Sequence, residues 1–332
     1  MNVQQRLDLM ARLGEYILKD DDNWQSVKEK AGHQNKWFTP GFTSLATRHI
    51  GHSFLEKKAL SDWSAPYPIP AENKTPKTVG IVMAGNIPLV GFHDFLCTFL
   101  SGHRQVIKPS SKDDVLIRHL AGKLIEMDEA CSSCISFAEM LKGCDAYIAT
   151  GSNNSARYFE YYFRNHPHII RRNRTSVAIL NGKENVTDLE KLADDVYLYF
   201  GLGCRNVTKL YVPQQYDFVP LLEAFSKYNY LSDHNKYKNN YDYLLAIMIL
   251  NKQVYMTNGS LLMLEHSSVF SPVGQLNYEF YSDEKELLNF LQSNEDIQCI
   301  VGKDHIPFGQ AQQPSLHDFA DGTDTLQFLL DL

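Results

Sequence analysis

Between residues 78 and 181 short apolar runs alternate with amphipathic stretches, and no other feature constrains the fold of this chain as much. TVGIVMAG (78–85), RQVIKPS (104–110), DAYIATGS (145–152) and RTSVAILN (174–181) read as buried strands. A helix running to about residue 100, DDVLIRHLAGKLIEM (113–127) and NSARYFEYYF (154–163) separate them, and CISFAEM (134–140) fits either a strand or a helical turn. Asp113 and Asp114 sit in the first turn of the second of these helices, where the positive end of the helix dipole favours carboxylates. Such a β-α-β-α-β order predicts a parallel sheet with helices on its faces. Sheets of this kind bind ligands outside the carboxyl ends of their strands. Three loops fall there: Gly85–Pro88, Lys108–Ser111 and Thr150–Ser152. No G-x-G-x-x-G is present, so the usual dinucleotide fingerprint is absent.

The flanks differ in texture. Val3, Leu7, Met10, Leu13 and Ile17 recur at helical spacing, and residues 1–60 read as mostly helical. SDWSAPYPIPAENKTP (61–76) is rich in proline and polar residues and reads as an extended connection. After residue 181 a second α/β unit follows. TDLEKLADDVYLYF (187–200) is a helix with Leu189, Leu192, Val196 and Phe200 on one face, and it ends at GLGC. KLYVPQQY (209–216) is a strand, a helix lies near 218–228, and HNKYKNNYDY (234–243) reads as a polar, aromatic loop. QVYMTNGSLLMLEH (253–266) reads as a hairpin turning at Asn258–Gly259, and TDTLQFLLDL (323–332) as a closing strand.

Bulk properties exclude several classes. With 332 residues the chain can bury one large core or two. Its net charge is −7 with no long basic run, so a sequence-independent grip on nucleic acid is not expected. The N-terminus is polar from its start, and the longest apolar runs, 243–250 and 80–92, are too short or interrupted by Asn86 and Pro88. No membrane span and a cytoplasmic location are therefore expected. Six cysteines in a chain of this length do not make a disulfide scaffold, and the lone C-x-x-C of Cys131 and Cys134 lacks the second pair that a zinc site needs.

One cysteine stands apart. Cys204, in FGLGCRNVTKL (200–210), follows Gly201 and Gly203. It fits a buried structural cysteine, and it fits a nucleophile on a turn that the glycines leave unobstructed. The wider context bears on the choice. MAGNIP, VIKPSS, ATGSNN, RTSVAIL, GLGCRN and VFSPVG occur in an order and spacing that resemble the aldehyde dehydrogenase superfamily. The closer resemblance is to its acyl-CoA reductase branch, the LuxC-like family of the bacterial luminescence fatty-acid reductase. It spans roughly residues 60–332 and includes PFGQAQQPSLHDFADGTDTLQFL (307–329).

The resemblance implies an α/β, aldehyde-dehydrogenase-like fold. Residues 77–185 would form a Rossmann-like cofactor domain, 186–319 an α/β catalytic domain, and 1–60 a helical segment packed on the cofactor domain. The stretches 61–76 and 320–332 would form a small β oligomerisation arm, and hence a homodimer or higher homo-oligomer. Cys204 would be the nucleophile, and the Asn86 amide would stabilise the oxyanion beside the Cys204 N–H. Lys108, with Ser110 in the same loop, would hold the adenosine ribose of NADPH or NADH, and Gly151 and Ser152 would meet its pyrophosphate at a helix N-terminus.

The substrate implied is an acyl-CoA or an acyl carrier protein thioester, reduced to the aldehyde. An acyl-phosphate reductase and a degenerate, non-catalytic acyl- or nucleotide-binding protein are the alternatives. Two departures bear on mechanism. The hydrolytic glutamate of the superfamily would fall near Arg171 or Arg172, and the glutamate that holds the nicotinamide ribose near Ser268. Neither is present, and the absence of the first favours a thioester that survives to meet hydride. Arg205 is expected to favour the Cys204 thiolate. His93, His103, His234, His266, His305 and His317 are the candidates for proton transfer.

Overall fold

The computed structural model describes residues 1–332. The N-terminal periodicity becomes α1 (Val3–Lys19), started by a capping box between Asn2 and Gln5, with Leu9, Met10, Leu13 and Ile17 on its buried face. α2 (Asp22–Gln34), α3 (Pro40–His49) and α4 (Lys57–Ser64) follow, each with a side-chain cap at its N-terminus. The four opening residues of the expected 61–76 connection therefore belong to α4.

The alternation then builds β1 (Thr78–Val82), α5 (Phe92–Ser101), β2 (Arg104–Lys108), α6 (Val115–Met127), β3 (Ile135–Phe137), β4 (Ala146–Thr150), α7 (Asn153–Phe163) and β5 (His168–Arg171). These strands form one parallel sheet in the order β3-β2-β1-β4-β5. β1 is its centre, with β2 on one side and β4 on the other. The order reverses there, which opens a crevice at the carboxyl ends of these three strands. α1 packs against α5 and α6.

Two compact units divide the chain: Met1–Asn173 with Pro314–Leu332, and Arg174–Gln313. The second holds β6 (Thr175–Ile179), α8 (Val186–Tyr197), β7 (Val207–Pro213), α9 (Val219–Phe225), α10 (Asn235–Leu250), β8 (Met256–Thr257), β9 (Leu262–Glu265), β10 (Gln275–Tyr281), α11 (Glu284–Ser293) and β11 (Ile297–Val301). Its sheet runs β11-β6-β7-β10-β9-β8, parallel except for the β8–β9 hairpin, where Gly259 turns with φ 92°.

Three expectations are corrected. RTSVAILN supplies β6, which pairs with β7 and β11 in the second sheet rather than closing the first. The division thus falls at Asn173/Arg174 and not after residue 185. Residues 234–243 are not a loop. His234 caps α10, and Tyr237, Tyr241 and Met248 form its buried face. The interspersed asparagines, poor helix formers on the outer face, hide that spacing. Finally, 323–332 is not a strand and forms no β arm. Asp324 caps α12 (Thr325–Leu330), and Leu326 and Leu329, three apart on one helical face, are fully buried in the core of the first unit beside α5.

No helix is long and apolar enough to cross a membrane.

Candidate active site

In the second unit Cys204 lies half-buried in the turn between α8 and β7. The chain leaves α8 through three consecutive left-handed residues, Tyr199, Phe200 and Gly201. The turn is tied down from several directions. Ser176 Oγ in β6 donates to the Cys204 carbonyl at 3.1 Å and lies 3.0 Å from Cys299 Sγ in β11. Asn206, fully buried, accepts the Gly203 N–H at 2.8 Å and donates to carbonyls at the end of α8.

A second segment is bound to this loop. Asp195, buried in the last turns of α8, accepts the N–H groups of Gly309 (2.6 Å) and Ala311 (2.9 Å). Burial pushes its carboxyl up to about 7, against the pull of those two donors. Arg205 Nε donates to the Ala311 carbonyl at 2.5 Å. The PFGQAQQ run is thereby fastened beside the Cys204 turn. Ser268, at the place of the second family glutamate, turns inward: its Oγ donates to the Phe270 carbonyl at 3.0 Å. The fully buried Lys209 holds the carbonyls of His266 and Ser267 next to it, and bonds Glu279.

In the first unit the β1–β2–β4 register sets Val82 opposite both Lys108 and Ala149. The loops carrying Asn86, Lys108, Ser110, Gly151 and Ser152 therefore leave the sheet side by side. Asn86 and Lys108 are exposed there. The first two loops touch: a Cβ on Gly85 would stand 2.6 Å from Ser110 Oγ. Asp113 links them as well. It does not sit in the first turn of α6 as expected, since that helix begins at Val115 after its N-cap Asp114; it is buried in the preceding loop, and its Oδ2 accepts the Leu89 N–H at 2.7 Å. Leu89 is itself left-handed (φ 56°). Burial pushes the Asp113 carboxyl up to about 7. Ser152 caps α7, accepting the Ser155 N–H, so the helix opens directly onto the crevice. An exposed lysine at one strand end and a helix N-terminus at the next but one could hold a dinucleotide's ribose hydroxyls and pyrophosphate.

Arg171, near the place of the hydrolytic glutamate, is buried at the end of β5 and bonds Asp94 of α5 at 2.5 Å and Thr325 of α12 at 2.8 Å. Burial alone would lower its pKa; Asp94, with smaller help from Asp321 and Cys97, more than reverses this. The residue is a fixed cation with no capacity to activate water. Among the histidines, burial lowers the pKa of His93 and of His103, and His103 is bonded to the Leu329 carbonyl. His234 caps a helix, and His266 Nδ1 faces the Ser268 N–H at 3.0 Å. Asp94 and Asp195 carried no signal in the sequence beyond being polar residues within or beside apolar runs.

The family model for acyl-CoA reductase (LuxC) matches residues 48–220, more than half of the chain. This chain belongs to the LuxC acyl-CoA reductase family. It is thus an oxidoreductase of acyl or aldehyde substrates. No curated protein sequence matches it. Solved structures of similar fold include a putative aldehyde dehydrogenase from Burkholderia cenocepacia, with TM-score 0.68 and 11% identity over 91% of this chain and 74% of that one. Another is a Mycobacterium tuberculosis aldehyde dehydrogenase complexed with NAD+, with TM-score 0.65 and 13% identity over 91% and 73%. A third is the indole-3-acetaldehyde dehydrogenase of P. syringae, with TM-score 0.64 and 12% identity over 91% and 72%. At such identities the likeness is one of fold, and it matches the aldehyde-dehydrogenase-like architecture that the LuxC resemblance implied.

Proposed function

We propose that this LuxC-family protein reduces an acyl thioester, carried by CoA or by an acyl carrier protein, to the free aldehyde through a covalent acyl–Cys204 intermediate. The observation that carries the reading is the Cys204 turn: a half-buried thiol between α8 and β7, held by Ser176, Asn206 and Arg205. The Cys204 thiolate attacks the thioester carbonyl. A bond forms from Cys204 sulfur to the acyl carbon, the bond to the carrier's sulfur breaks, and the carrier leaves as its thiol after taking a proton. Asn86 is the side-chain amide assigned to the oxyanion. Lys108, the Lys108–Ser111 loop and the N-terminus of α7 would hold NADPH or NADH, and neighbours of this fold are solved with NAD+. Bound reduced nicotinamide supplies the hydride that takes the thioester to the aldehyde level. The hemithioacetal on Cys204 then collapses, returning the thiolate and freeing the aldehyde. Arg171 supports this course over hydrolysis, because a guanidinium paired to Asp94 cannot serve as a water-activating base.

The test is intact-protein mass after mixing with a panel of acyl-CoAs without cofactor, for wild type and Cys204→Ala. An acyl-sized gain on wild type alone, discharged on adding NADPH, is expected. A gain that persists in Cys204→Ala would remove Cys204 from its role.

A further inference from the structure

The segment that presents Cys204 is bent the wrong way for L-residues. Tyr199 (φ 55°, ψ 26°), Phe200 (φ 59°, ψ 24°) and Gly201 (φ 73°) are left-handed in succession. Glycine enters this region freely, whereas a Cβ crowds the following carbonyl there, so Tyr199 and Phe200 are strained. Such strain persists only where the surroundings over-determine it. Both rings are buried, and Phe200 packs against His234 and Tyr237. Ring packing, however, does not satisfy the carbonyls that α8 leaves open at its end.

A single buried side chain does so. Asn206 is 0% exposed. Its Nδ2 donates to the carbonyls of Asp195 (3.0 Å), Val196 (3.3 Å) and Leu198 (2.9 Å), and its Oδ1 accepts the Gly203 N–H (2.8 Å). The three carbonyls precede the left-handed stretch and the N–H follows it, so one planar amide bridges the bend. The Asn206 backbone N–H closes the turn around Cys204 by donating to the Gly203 carbonyl at 3.1 Å. A carboxylate would lack the donors, a hydroxyl would lack the reach, and an alkyl group would leave the carbonyls buried and unpaired.

We propose that Asn206 is a positioning residue for Cys204: it locks the left-handed turn at Tyr199–Gly201 and thereby fixes where the thiol stands. It acts through Cys204 and has no contact role of its own with substrate or cofactor. The inference rests on the reading of Cys204 as the nucleophile.

The test uses the full chain with Asn206→Ala and the near-isosteric Asn206→Asp. Three quantities are measured: the pH profile of iodoacetamide alkylation at Cys204, resolved by peptide mass from the remaining cysteines; thermal melting; and single-turnover acyl loading from an acyl-CoA. The expected result is a folded protein whose Cys204 profile is displaced while the other cysteines react as in wild type. Loading should slow by on the order of a hundredfold, the scale of a 1 Å misplacement. A wild-type Cys204 profile combined with a lowered melting temperature would overturn the proposal, since Asn206 would then support the fold alone. Failure of both variants to fold would overturn it equally. If wild type itself takes no acyl group but the variants still displace the Cys204 profile, the positioning role stands and the acyl-transfer reading fails.

Discussion

Arg171 and Asp94 share a hydrogen bond of 2.5 Å, and neither side chain is more than 6% exposed. Breaking a buried pair from one side costs more than the pair contributes, because the remaining charge has no partner and no water. Asp94→Ala is therefore expected to destabilise the chain by about 3–5 kcal/mol, read from the denaturant midpoint, and Asp94→Leu with Arg171→Met to recover most of that loss. Asp113 makes a different prediction. Burial holds its carboxyl near 7 in the folded chain, against about 3.9 when unfolded. Between these values the folded state keeps a proton that the unfolded state has lost. Stability from this group is thus present below about pH 4 and falls as pH rises to about 7. Asp113→Asn keeps an acceptor for the Leu89 N–H and cannot titrate. Its melting temperature should decline less than that of wild type across this window; parallel curves would show that Asp113 does not titrate there.

At the scale of elements, α12 and the loop at Gly85 give the sharpest expectations. Leu326 and Leu329 are 0% exposed. Truncating either to alanine should cost about 2–5 kcal/mol, as for other buried leucines, and an exposed-arm residue would show no such loss. Gly85→Ala sets a methyl group 2.7 Å from Ser110 Cβ and 2.6 Å from its Oγ, so the two loops must part. A loss of about 1–3 kcal/mol is expected, with Ser110→Gly in the same chain restoring most of it. If the double variant is no more stable than the single, the crowding lies elsewhere.

Cys204 and the loops proposed to hold the nucleotide fall in different units, so their proposed roles can be measured separately on the whole chain. Nicotinamide fluorescence should report binding in Cys204→Ala as in wild type, because the crevice residues Lys108, Gly151 and Ser152 lie in the first unit. Lys108→Ala should weaken that binding by roughly tenfold or more, the worth of a charge-assisted hydrogen bond, while leaving alkylation of Cys204 unchanged. Equal binding by Lys108→Ala would move the ribose contact to another residue.

The alternating elements, the three loops of the crevice and the turn at Cys204 can be read from the order of residues alone. Buried parallel strands are unbroken apolar runs, and ligand loops follow them at fixed places in the β-α order. The sequence also carries the ordered motifs by which the LuxC family is legible. Local pattern does not encode which distant elements meet, and packing settles that. RTSVAILN reads as a strand in either sheet, and only pairing with β7 and β11 assigns it to the second. Residues 323–332 alternate well enough for a strand, yet Leu326 and Leu329 find a fully buried place beside α5 only as a helix. The polar anchors were hidden for the same reason. Asp94 meets Arg171 across 77 residues, Asp195 meets Ala311 across 116, and Asp113 meets Leu89 across 24. Periodicity reports which face of an element is buried. It is silent on which distant group a buried carboxylate or amide will find there, and that pairing holds the Cys204 turn and the crevice loops in place.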